Sequence, residues 1–349
     1  MLILSNDDAE ALLTMRECIA ALEDAYRDLA HERAASAQRS DVLTTSPRAD
    51  ALYSLKLMGG VLPGAGVGAI RLNSDIISFG EKRQVKLPLA PGNRYTGLVL
   101  LFSSETGEPL AIFPDGVLQR MRVGAASALG AKYLARPDAT SVGLIGAGWQ
   151  AGAQVMAITA LRKVDSIRCY SPTREKREAF CAELEKKTGV SMRPVATPEE
   201  AVRGAGIVLC ATNSNAHVFK AGWLEPGMHV GTIRGHELEP ETVRRADLVA
   251  IHDRGARAAV IATRGVALPR DRHWIPGIED VMEKAPTLGE LVAGIAQGRG
   301  SAEQKSCFLN LTGIGLQFAA AGAALYRKAR AAGAGRELPG EWFTEDVLP

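Results

Sequence analysis

The stretch Val142-Gly-Leu-Ile-Gly-Ala-Gly-Trp-Gln-Ala-Gly152 determines the fold class that this sequence predicts. It begins as an apolar run typical of a buried strand and continues as the start of a helix. Gly146, Gly148 and Ala151 match the G-x-G-x-x-A form of the turn that holds a dinucleotide diphosphate. The first glycine permits the tight turn, the second lets the backbone approach phosphate, and the alanine lets helix and strand pack closely. A turn that binds nothing is the alternative, but the strand–helix–strand context favours a cofactor.

A regular alternation of strands and helices continues from this turn along the chain. Helices are predicted over 149–162, Thr173–Lys187 and 198–203. Short apolar strands are predicted over Val142–Ile145, Ser166–Tyr170, Ser191–Val195, Ile207–Ala211, His229–Ile233 and Leu248–Ile251. Such an alternation, with strands that are apolar almost throughout, predicts an α/β fold with a doubly wound parallel sheet of the Rossmann type.

The segments before and after this alternation have a different pattern. Apolar residues recur at helical spacing over 6–30, and further helices are predicted over 117–135 and 307–332. Between the first two of these helices, β-type runs separated by Gly and Pro turns predict an antiparallel or mixed sheet. These runs are Leu52–Leu57, Val67–Leu72, Gly97–Phe102 and Pro109–Phe113.

The composition excludes several classes of protein. The chain has 349 residues, with 41 Lys and Arg against 39 Asp and Glu, which argues against nucleic-acid binding through bulk positive charge. There is no Cys-x-x-Cys and no His-Glu-x-x-His, so we predict no metal, and His273-Trp274 has no assignable role. No apolar run approaches the roughly 20 residues of a membrane span, and the acidic start of the chain is unlike a signal peptide. We therefore expect a soluble, cytoplasmic protein without a membrane partner.

The residues that follow the first two strands are candidates for cofactor binding. Trp149 and Gln150 open the helix behind the glycine turn. The next strand is followed by Ser171-Pro-Thr173-Arg174, with no acidic residue for the ribose hydroxyls of NAD. Two hydroxyls and an arginine suit a 2′-phosphate, so NADP(H) is favoured over NAD(H), which stays an option. A solvated Arg174 in the first turn of the next helix is the alternative.

A further pair of polar residues follows the strand Ile207–Ala211, at the edge where a parallel sheet binds its ligand. A helix cap would explain the same two residues. With them, the cofactor candidates are Gly146, Gly148, Trp149, Gln150, Ser171, Thr173, Arg174, Thr212 and Asn213.

Several motifs together resemble one family. They are Leu98–Ala111, Arg120–Ala128, Lys132–Pro137, Gly146–Ala151 and Ala205–Thr212. With the N-terminal helix, they make nearly the whole chain resemble the ornithine cyclodeaminase/mu-crystallin family, whose members include cyclodeaminases, ketimine reductases and some alanine dehydrogenases. The resemblance implies an NAD(P)-binding Rossmann domain over 117–306. It also implies a discontinuous α+β domain for substrate binding and homodimer formation, made of 1–116 and of a helix and tail over 307–349.

The resemblance assigns roles to some residues of this chain. Arg122 aligns with the arginine that holds the substrate carboxylate, for which a guanidinium fork is well suited. The position of the family's catalytic lysine holds Ile70 or Arg71, and Lys56 falls where cyclodeaminases have a glutamate. Lys56 and Arg71 are therefore the catalytic candidates, although each could instead point to solvent from its strand.

Other positions of the resemblance match less well. Arg94 and Thr96 lie where relatives contact the nicotinamide, and they are predicted to contribute to the substrate site. The loop Val230–Leu238 lacks the aspartate that serves deamination in cyclodeaminases. His236 or Glu237 could replace it, but Glu237 better matches a glutamate that follows that aspartate in the family. Hydrolytic loss of ammonia therefore lacks its obvious base.

These residues favour an NAD(P)(H)-dependent imine (ketimine) reductase or amino-acid dehydrogenase that acts on a small α-imino or α-amino acid. Arg122 and Arg71 would clamp the carboxylate, and Lys56 would supply a cation or a proton near the nitrogen. The alternatives are cyclodeamination with catalytically used NAD, and a non-catalytic dinucleotide-binding protein of the crystallin type.

Overall fold

The computed structural model describes residues 1–48, 50–79, 84–255, 257–266 and 275–346, so His273-Trp274 lies outside the described residues. The strands are β1 (Leu2–Ile3), β2 (Ala35–Ser36), β3 (Ser40–Thr45), β4 (Ala51–Leu62), β5 (Val67–Phe79), β6 (Gln84–Leu87), β7 (Thr96–Ser103), β8 (Pro109–Pro114), β9 (Ser141–Ile145), β10 (Ser166–Tyr170), β11 (Ser191–Pro194), β12 (Ile207–Cys210), β13 (His229–Thr232), β14 (Leu248–Ile251), β15 (Ala259–Ala262), β16 (Ser306–Leu309) and β17 (Arg336–Glu337). The helices are α1 (Asn6–Leu12), α2 (Met15–Ala30), α3 (Gly116–Leu134), α4 (Trp149–Leu161), α5 (Arg174–Thr188), α6 (Pro198–Val202), α7 (Pro240–Arg244), α8 (Glu279–Lys284), α9 (Leu288–Val292) and α10 (Leu316–Ala332). Within the described ranges, none of these helices combines the length and apolarity needed to cross a bilayer.

One sheet is parallel throughout and contains the glycine turn. Its strand order is β11-β10-β9-β12-β13-β16-β14. The chain runs from β9 outward to β10 and β11, and then returns to β12 on the other side of β9. This reversal is the doubly wound arrangement, and it leaves a ligand crevice beyond the carboxyl ends of the strands. The predicted fold class is confirmed.

The strand β16 corrects the predicted start of the last helix. A helix from residue 307 is wrong, because Ser306–Leu309 form a strand between β13 and β14, and α10 begins at Leu316. All four residues of β16 are buried. A short run that is buried on every side has no periodicity that distinguishes a strand from a helix, so the pattern could not place this boundary.

The predicted helix over 6–30 is also two helices in the structure. The Thr14 hydroxyl accepts a hydrogen bond from the backbone N–H of Glu17, and the Glu17 carboxylate accepts one from the backbone N–H of Thr14. This capping box starts α2, and it separates α2 from α1 within one amphipathic run.

The other sheet has ten strands among the described residues and is mixed. Its centre is the long antiparallel hairpin of β4 and β5, which continues through β7 and β8. Two strands from distant parts of the chain join it, since β15 pairs in parallel with β3, and β17 pairs with β1. The segment 117–306 therefore contributes a strand to this sheet as well, and the division of the chain into domains stays a prediction.

Helix α3 packs against both halves of the molecule. A Cβ at Gly124 would lie 2.5 Å from the carbonyl oxygen of Ala153 in α4, and one at Gly130 would lie 2.2 Å from the ring of Phe308 in β16. These glycines let α3 approach the parallel sheet closely. On its other side α3 contacts α2 and α10, and α10 packs on β4 and β5 of the mixed sheet. Helix α3 therefore carries Arg122 at a fixed place between the two sheets.

Candidate active site

The glycine turn has the geometry that diphosphate binding requires. Gly146 has a φ of 125°, and a Cβ there would lie 2.2 Å from the carbonyl oxygen of Ala211. A Cβ at Gly148, just before α4, would meet no atom within 4 Å beyond its chain neighbours, so the space at the helix N-terminus is open. The side-chain oxygen of Gln150 is buried without a hydrogen-bond partner among the described residues. These residues fit a dinucleotide.

A cavity of about 430 Å³ connects this turn with the mixed sheet. It has the size of a site for a small molecule. It is lined by residues of β5 and β6 of the mixed sheet, of helices α3 and α4, and of connections, namely Arg71, Asn73, Val85, Lys86, Tyr95, Asp115, Gly116, Gln119, Trp149 and Asn213. Of the residues predicted from the sequence, the cavity brings Arg71 together with Trp149 and Asn213. The remaining predicted site residues lie outside its lining.

Arg71 lies on β5 and is buried. Its Nε and Nη2 lie 2.8 and 2.7 Å from Oδ2 of Asp115, and Nη2 also donates to the side-chain oxygen of Asn73. Its Nη1 contacts the Met58 sulfur at 3.6 Å, and sulfur is a weak acceptor. Burial lowers the pKa of Arg71, and the charge of Asp115 opposes that shift. Arg71 therefore points into the site rather than to solvent, and Nη1 keeps donor capacity for a ligand.

Arg122 is buried on α3 and bonds to amide oxygens instead of a carboxylate. Its Nη1 donates to Oε1 of Gln317, and its Nη2 donates to Oε1 of Gln119, each over 2.8 Å. Burial, together with the positive charge of Arg71, lowers the pKa of Arg122 to about 9. Gln119 lines the cavity and covers the guanidinium, so Arg122 lies directly behind the cavity wall.

The two buried guanidinium groups share one aromatic ring and one nearby carboxylate. Arg71 and Arg122 lie 5.5 and 5.2 Å from the ring centre of Phe318. Of the two, only Arg71 forms an ion pair within the described part of the chain, with Asp115. The pair of arginines therefore retains an excess positive charge, and a ligand carboxylate would neutralise it.

Lys56 belongs to a second charged cluster, at the other side of Asn73. Its Nζ lies 2.7 Å from Oδ2 of Asp75, and Nζ of Lys86 lies 2.8 Å from the same oxygen. Lys56 is buried, which rules out a solvent-facing side chain, but it reaches the cavity only through Asp75 and Lys86. Burial lowers the pKa of Lys56 to about 8; Asp75 opposes this shift and the charge of Lys86 adds to it.

The two residues predicted near the nicotinamide lie beside the cavity. Arg94 and Thr96 are both exposed, and neither lines it. Tyr95, between them, does line the cavity. The backbone carbonyl of Thr96 accepts a long hydrogen bond of 3.4 Å from the side-chain amide of Asn73. The segment therefore borders the site, and within it Tyr95, rather than Arg94 or Thr96, lines the cavity.

The end of the second strand of the parallel sheet is polar and exposed. Ser171 and Thr173 lie between β10 and α5, and Arg174 Nε lies 2.8 Å from a carboxylate oxygen of Glu178 on the same helix. Arg177 donates to the backbone carbonyl of Ser171 over 2.9 Å. This exposed contact between residues four positions apart is typical of a solvated helix face. It agrees with the alternative interpretation of Arg174, a solvated residue in the first turn of α5.

Glu237 organises the loop after β13. Its buried carboxylate accepts hydrogen bonds from the Thr232 hydroxyl at 2.7 Å and from the backbone N–H groups of Ile233 and Arg234, each at 3.1 Å. The backbone N–H of Thr212 donates to the same carboxylate. Burial raises the pKa of Glu237 and these donors oppose the rise. Glu237 therefore fastens the loop that holds Thr212, and its oxygens are occupied by backbone and hydroxyl donors.

Sequence reasoning missed several residues that line the cavity. They are Asn73, Lys86, Tyr95, Asp115 and Gln119. One signal was available, because Arg71, Asn73 and Asp75 occupy alternate positions and must share one face of a strand. Three polar residues on the buried face of a strand need partners from elsewhere in the fold. No group of three His, Cys, Asp or Glu suitable for a metal occurs among the described residues.

The fold and the site define a class of protein, in which a Rossmann-type parallel sheet and a second sheet enclose one charged cavity. The chain matches the model of the ornithine cyclodeaminase/mu-crystallin family over residues 1–333. It belongs to this family, as the motifs predicted.

Individual relatives match over nearly their whole length. An alanine dehydrogenase of Archaeoglobus fulgidus is 30% identical over 354 residues, 97% of this chain and 98% of that protein. The structure of Thermococcus litoralis Δ1-pyrroline-2-carboxylate reductase in complex with NADH and L-proline has a TM-score of 0.79 and 25% identity, and the match covers 97% of this chain and 100% of that one. An archaeal alanine dehydrogenase dimer with bound NAD also has a TM-score of 0.79 and 25% identity, over 97% and 99% of the two chains. By their names these relatives are oxidoreductases of C–N bonds, and the predicted class of enzyme is confirmed to that extent.

Proposed function

We propose that this protein is an NAD(P)H-dependent reductase of a small α-imino acid, which also oxidises the corresponding α-amino acid in the reverse direction. The observation that carries the proposal is the shared cavity. It places Arg71 and Asp115, next to the mixed sheet, opposite Trp149 and Asn213, which follow strands of the parallel sheet. A substrate in this cavity would lie beside the opening of the dinucleotide site, as hydride transfer requires.

The arginine pair is proposed to hold the substrate carboxylate. Arg71 offers Nη1 to the ligand, while Asp115 and Asn73 hold the rest of its guanidinium in place. Arg122 adds positive charge from behind Gln119. A carboxylate fixed in this way orients the C=N carbon, and such orientation can supply several kcal/mol, roughly 7–11 at best, of the barrier reduction.

Asp115 is proposed to stabilise the protonated imine, since its carboxylate lines the cavity and an opposite charge favours the cationic form. A reduced nicotinamide held at the glycine turn would supply a hydride for the imine carbon. The electron pair of the C=N π bond would pass to nitrogen, and the neutral amine formed would take up a proton from water. Because the nitrogen already carries its proton, Lys56 does not have to contact it. We assign Lys56 an indirect role, in which its ammonium group adds one positive charge to the Asp75–Lys86 ion pair.

The cofactor is proposed to be NADP(H) rather than NAD(H). Ser171, Thr173 and Arg174 follow β10, where a carboxylate for ribose hydroxyls would stand in an NAD site. The contact between Arg174 and Glu178 is exposed, so little free energy is lost if a 2′-phosphate replaces Glu178. Titration with NADPH and NADH by calorimetry tests this choice, and Arg174→Ala should weaken NADPH binding while sparing NADH.

A homodimer is proposed because one of the similar structures is a dimer of an alanine dehydrogenase. Sedimentation equilibrium of the full chain, with and without nucleotide, tests it. The cytoplasmic location stays a prediction.

The reductase proposal is tested by following consumption of NADPH with pyruvate, 2-oxobutyrate and 2-oxoglutarate, each with ammonia or methylamine. Reduction that depends on both the keto acid and the amine supports it. Formation of proline or pipecolate and ammonia from ornithine or lysine, without net consumption of nicotinamide, would establish cyclodeamination instead. Tight NADPH binding without turnover of any pair would favour a binding protein.

A further inference from the structure

The cavity contains a second centre of uncompensated positive charge, separate from the arginine pair. Lys56 and Lys86 both bond to one oxygen of Asp75, so two ammonium groups share one carboxylate. The positive charge of Arg39 also acts on Lys56, but Arg39 is neutralised by a bidentate contact with Asp41 at 2.6 and 2.7 Å. The described residues therefore leave one positive charge at the Asp75 cluster and another at the arginine pair.

The two centres face the same cavity through different residues. Arg71, from the arginine pair, lines the cavity. Lys86, from the Asp75 cluster, lines it as well, and so does Asn73. Asn73 and Asp75 are separated by two positions on β5, and their Cα atoms are thus roughly 6–7 Å apart. The side chain of Arg71 reaches Asn73, and that of Lys86 reaches Asp75. The two positive groups therefore lie beside neighbouring positions on one face of β5, an arrangement that suits the two carboxylates of one small-molecule diacid.

Lys86 is the member of its cluster that can meet a ligand. Its side chain is 43% exposed, whereas those of Lys56 and Asp75 are 8% and 2% exposed. Because Lys86 shares Asp75 with the buried Lys56, a ligand carboxylate at Lys86 would supply the second counter-charge that the cluster lacks. A neutral or cationic substrate side chain at the same place would leave the excess charge or add to it.

We propose that the preferred substrate is an α-imino acid with a second carboxylate, which binds Lys86 while the α-carboxylate binds Arg71. This inference rests on the proposed reductase function and names its substrate class. The second carboxylate can belong to the side chain of the keto acid or to the substituent on nitrogen, and kinetics with the two kinds of imine distinguish these sources.

The test compares imines that differ in the number and place of carboxylates. Pyruvate with ammonia or methylamine gives one carboxylate, 2-oxoglutarate with ammonia adds one on the side chain, and pyruvate with glycine adds one on nitrogen. The wild-type enzyme should show the higher kcat/KM with one or both of the two-carboxylate imines, and the better of these two identifies the source of the second carboxylate.

Variants at Lys86 separate a specific contact from bulk charge. Lys86→Met should lower the ratio of kcat/KM for two-carboxylate over one-carboxylate imines by about tenfold, as for one charge-assisted hydrogen bond. Lys86→Arg should keep most of the ratio, and Lys86→Glu should reverse the preference. Lys163→Met is the matched control, since this exposed lysine follows α4 outside the cavity lining, and it should leave the ratio unchanged.

Two results overturn the inference in distinguishable ways. Reduction of imines with a ratio that Lys86→Met does not change refutes the second-carboxylate site and leaves the reductase function intact. If no imine is reduced, the proposed function fails, and binding then decides the charge argument. In that case glutarate should raise the Tm of the NADP⁺-loaded wild type more than propionate does. The difference between the two Tm shifts should be smaller in Lys86→Met. Equal shifts refute the inference.

Discussion

The substitution Arg122→Met is predicted to stabilise the ligand-free protein and to impair turnover. The stabilisation follows from the burial of the Arg122 charge, which lowers its pKa from 12.5 to about 9. At about 1.4 kcal/mol for each pKa unit, the charged form costs the native state about 5 kcal/mol. Methionine fills similar space without the charge. Oε1 of Gln317 keeps the backbone N–H of Ile314 as a donor, so only Oε1 of Gln119 loses its donor, at a cost of roughly 1–3 kcal/mol. The difference is a net gain of about 3 kcal/mol in the free energy of unfolding.

The loss of turnover follows from the same charge. Arg122 lies behind the cavity wall, so it acts on the substrate carboxylate through space rather than by contact. At a separation of about 6 Å and an effective dielectric constant of about 20, one charge pair contributes about 3 kcal/mol. We therefore expect kcat/KM to fall by about a hundredfold in Arg122→Met, mainly through KM.

Urea denaturation without ligand and steady-state kinetics measure the two effects. Arg122→Lys is the control, because it keeps the charge and should gain no stability. A less stable Arg122→Met protein with wild-type kcat/KM would refute the charge argument, since it would mean that Arg122 is a structural residue whose charge is compensated in the native state.

Three further predictions test the rest of the site. Gly146→Ala should weaken NADPH binding more than tenfold in calorimetry, because its Cβ would lie 2.2 Å from the Ala211 carbonyl oxygen; unchanged affinity would contradict the turn geometry. Gly97→Ala should lower kcat/KM at least tenfold and spare NADPH affinity, because its Cβ would lie 2.2 Å from Oδ1 of Asp115. Burial lowers the pKa of Lys56 to about 8, so this group is cationic below that pH and neutral above it. Accordingly, kcat/KM for two-carboxylate imines should fall as the pH rises through about 8, and Lys56→Met should abolish this break in the pH profile.

The nucleotide half of the site could be predicted from the sequence because its determinants are local. The turn around Gly146 and Gly148 needs only a strand, two glycines and a helix in succession. The boundary of α10 could not be predicted, because β16 owes its strand conformation to β13 and β14 on either side. A central strand of a parallel sheet is specified by neighbours that are distant in the sequence.

The substrate half of the site could be predicted only in part. The alternation along β5 could indicate which residues share a face, but not which of them meet a partner. Asp115 holds Arg71 from 44 positions away, and Lys86 shares Asp75 with Lys56 from a neighbouring strand. Such pairs depend on the register of β5 with its neighbouring strands and on the position where α3 begins. No short sequence motif specifies either of these.

The same charges distinguish reduction from deamination as the chemistry that the site supports. Hydrolytic loss of ammonia needs a base that can take a proton from water, and such a base needs an oxygen that is free to accept it. Glu237 stands in the loop that lacks the aspartate, and its carboxylate is held by donors from Thr212, Thr232, Ile233 and Arg234. Reduction needs no such base, because it requires only that the carboxylate be anchored and that the iminium charge be balanced. The residues that line the cavity supply both functions, with Arg71 for the anion and Asp115 for the cation, and therefore favour the reductase.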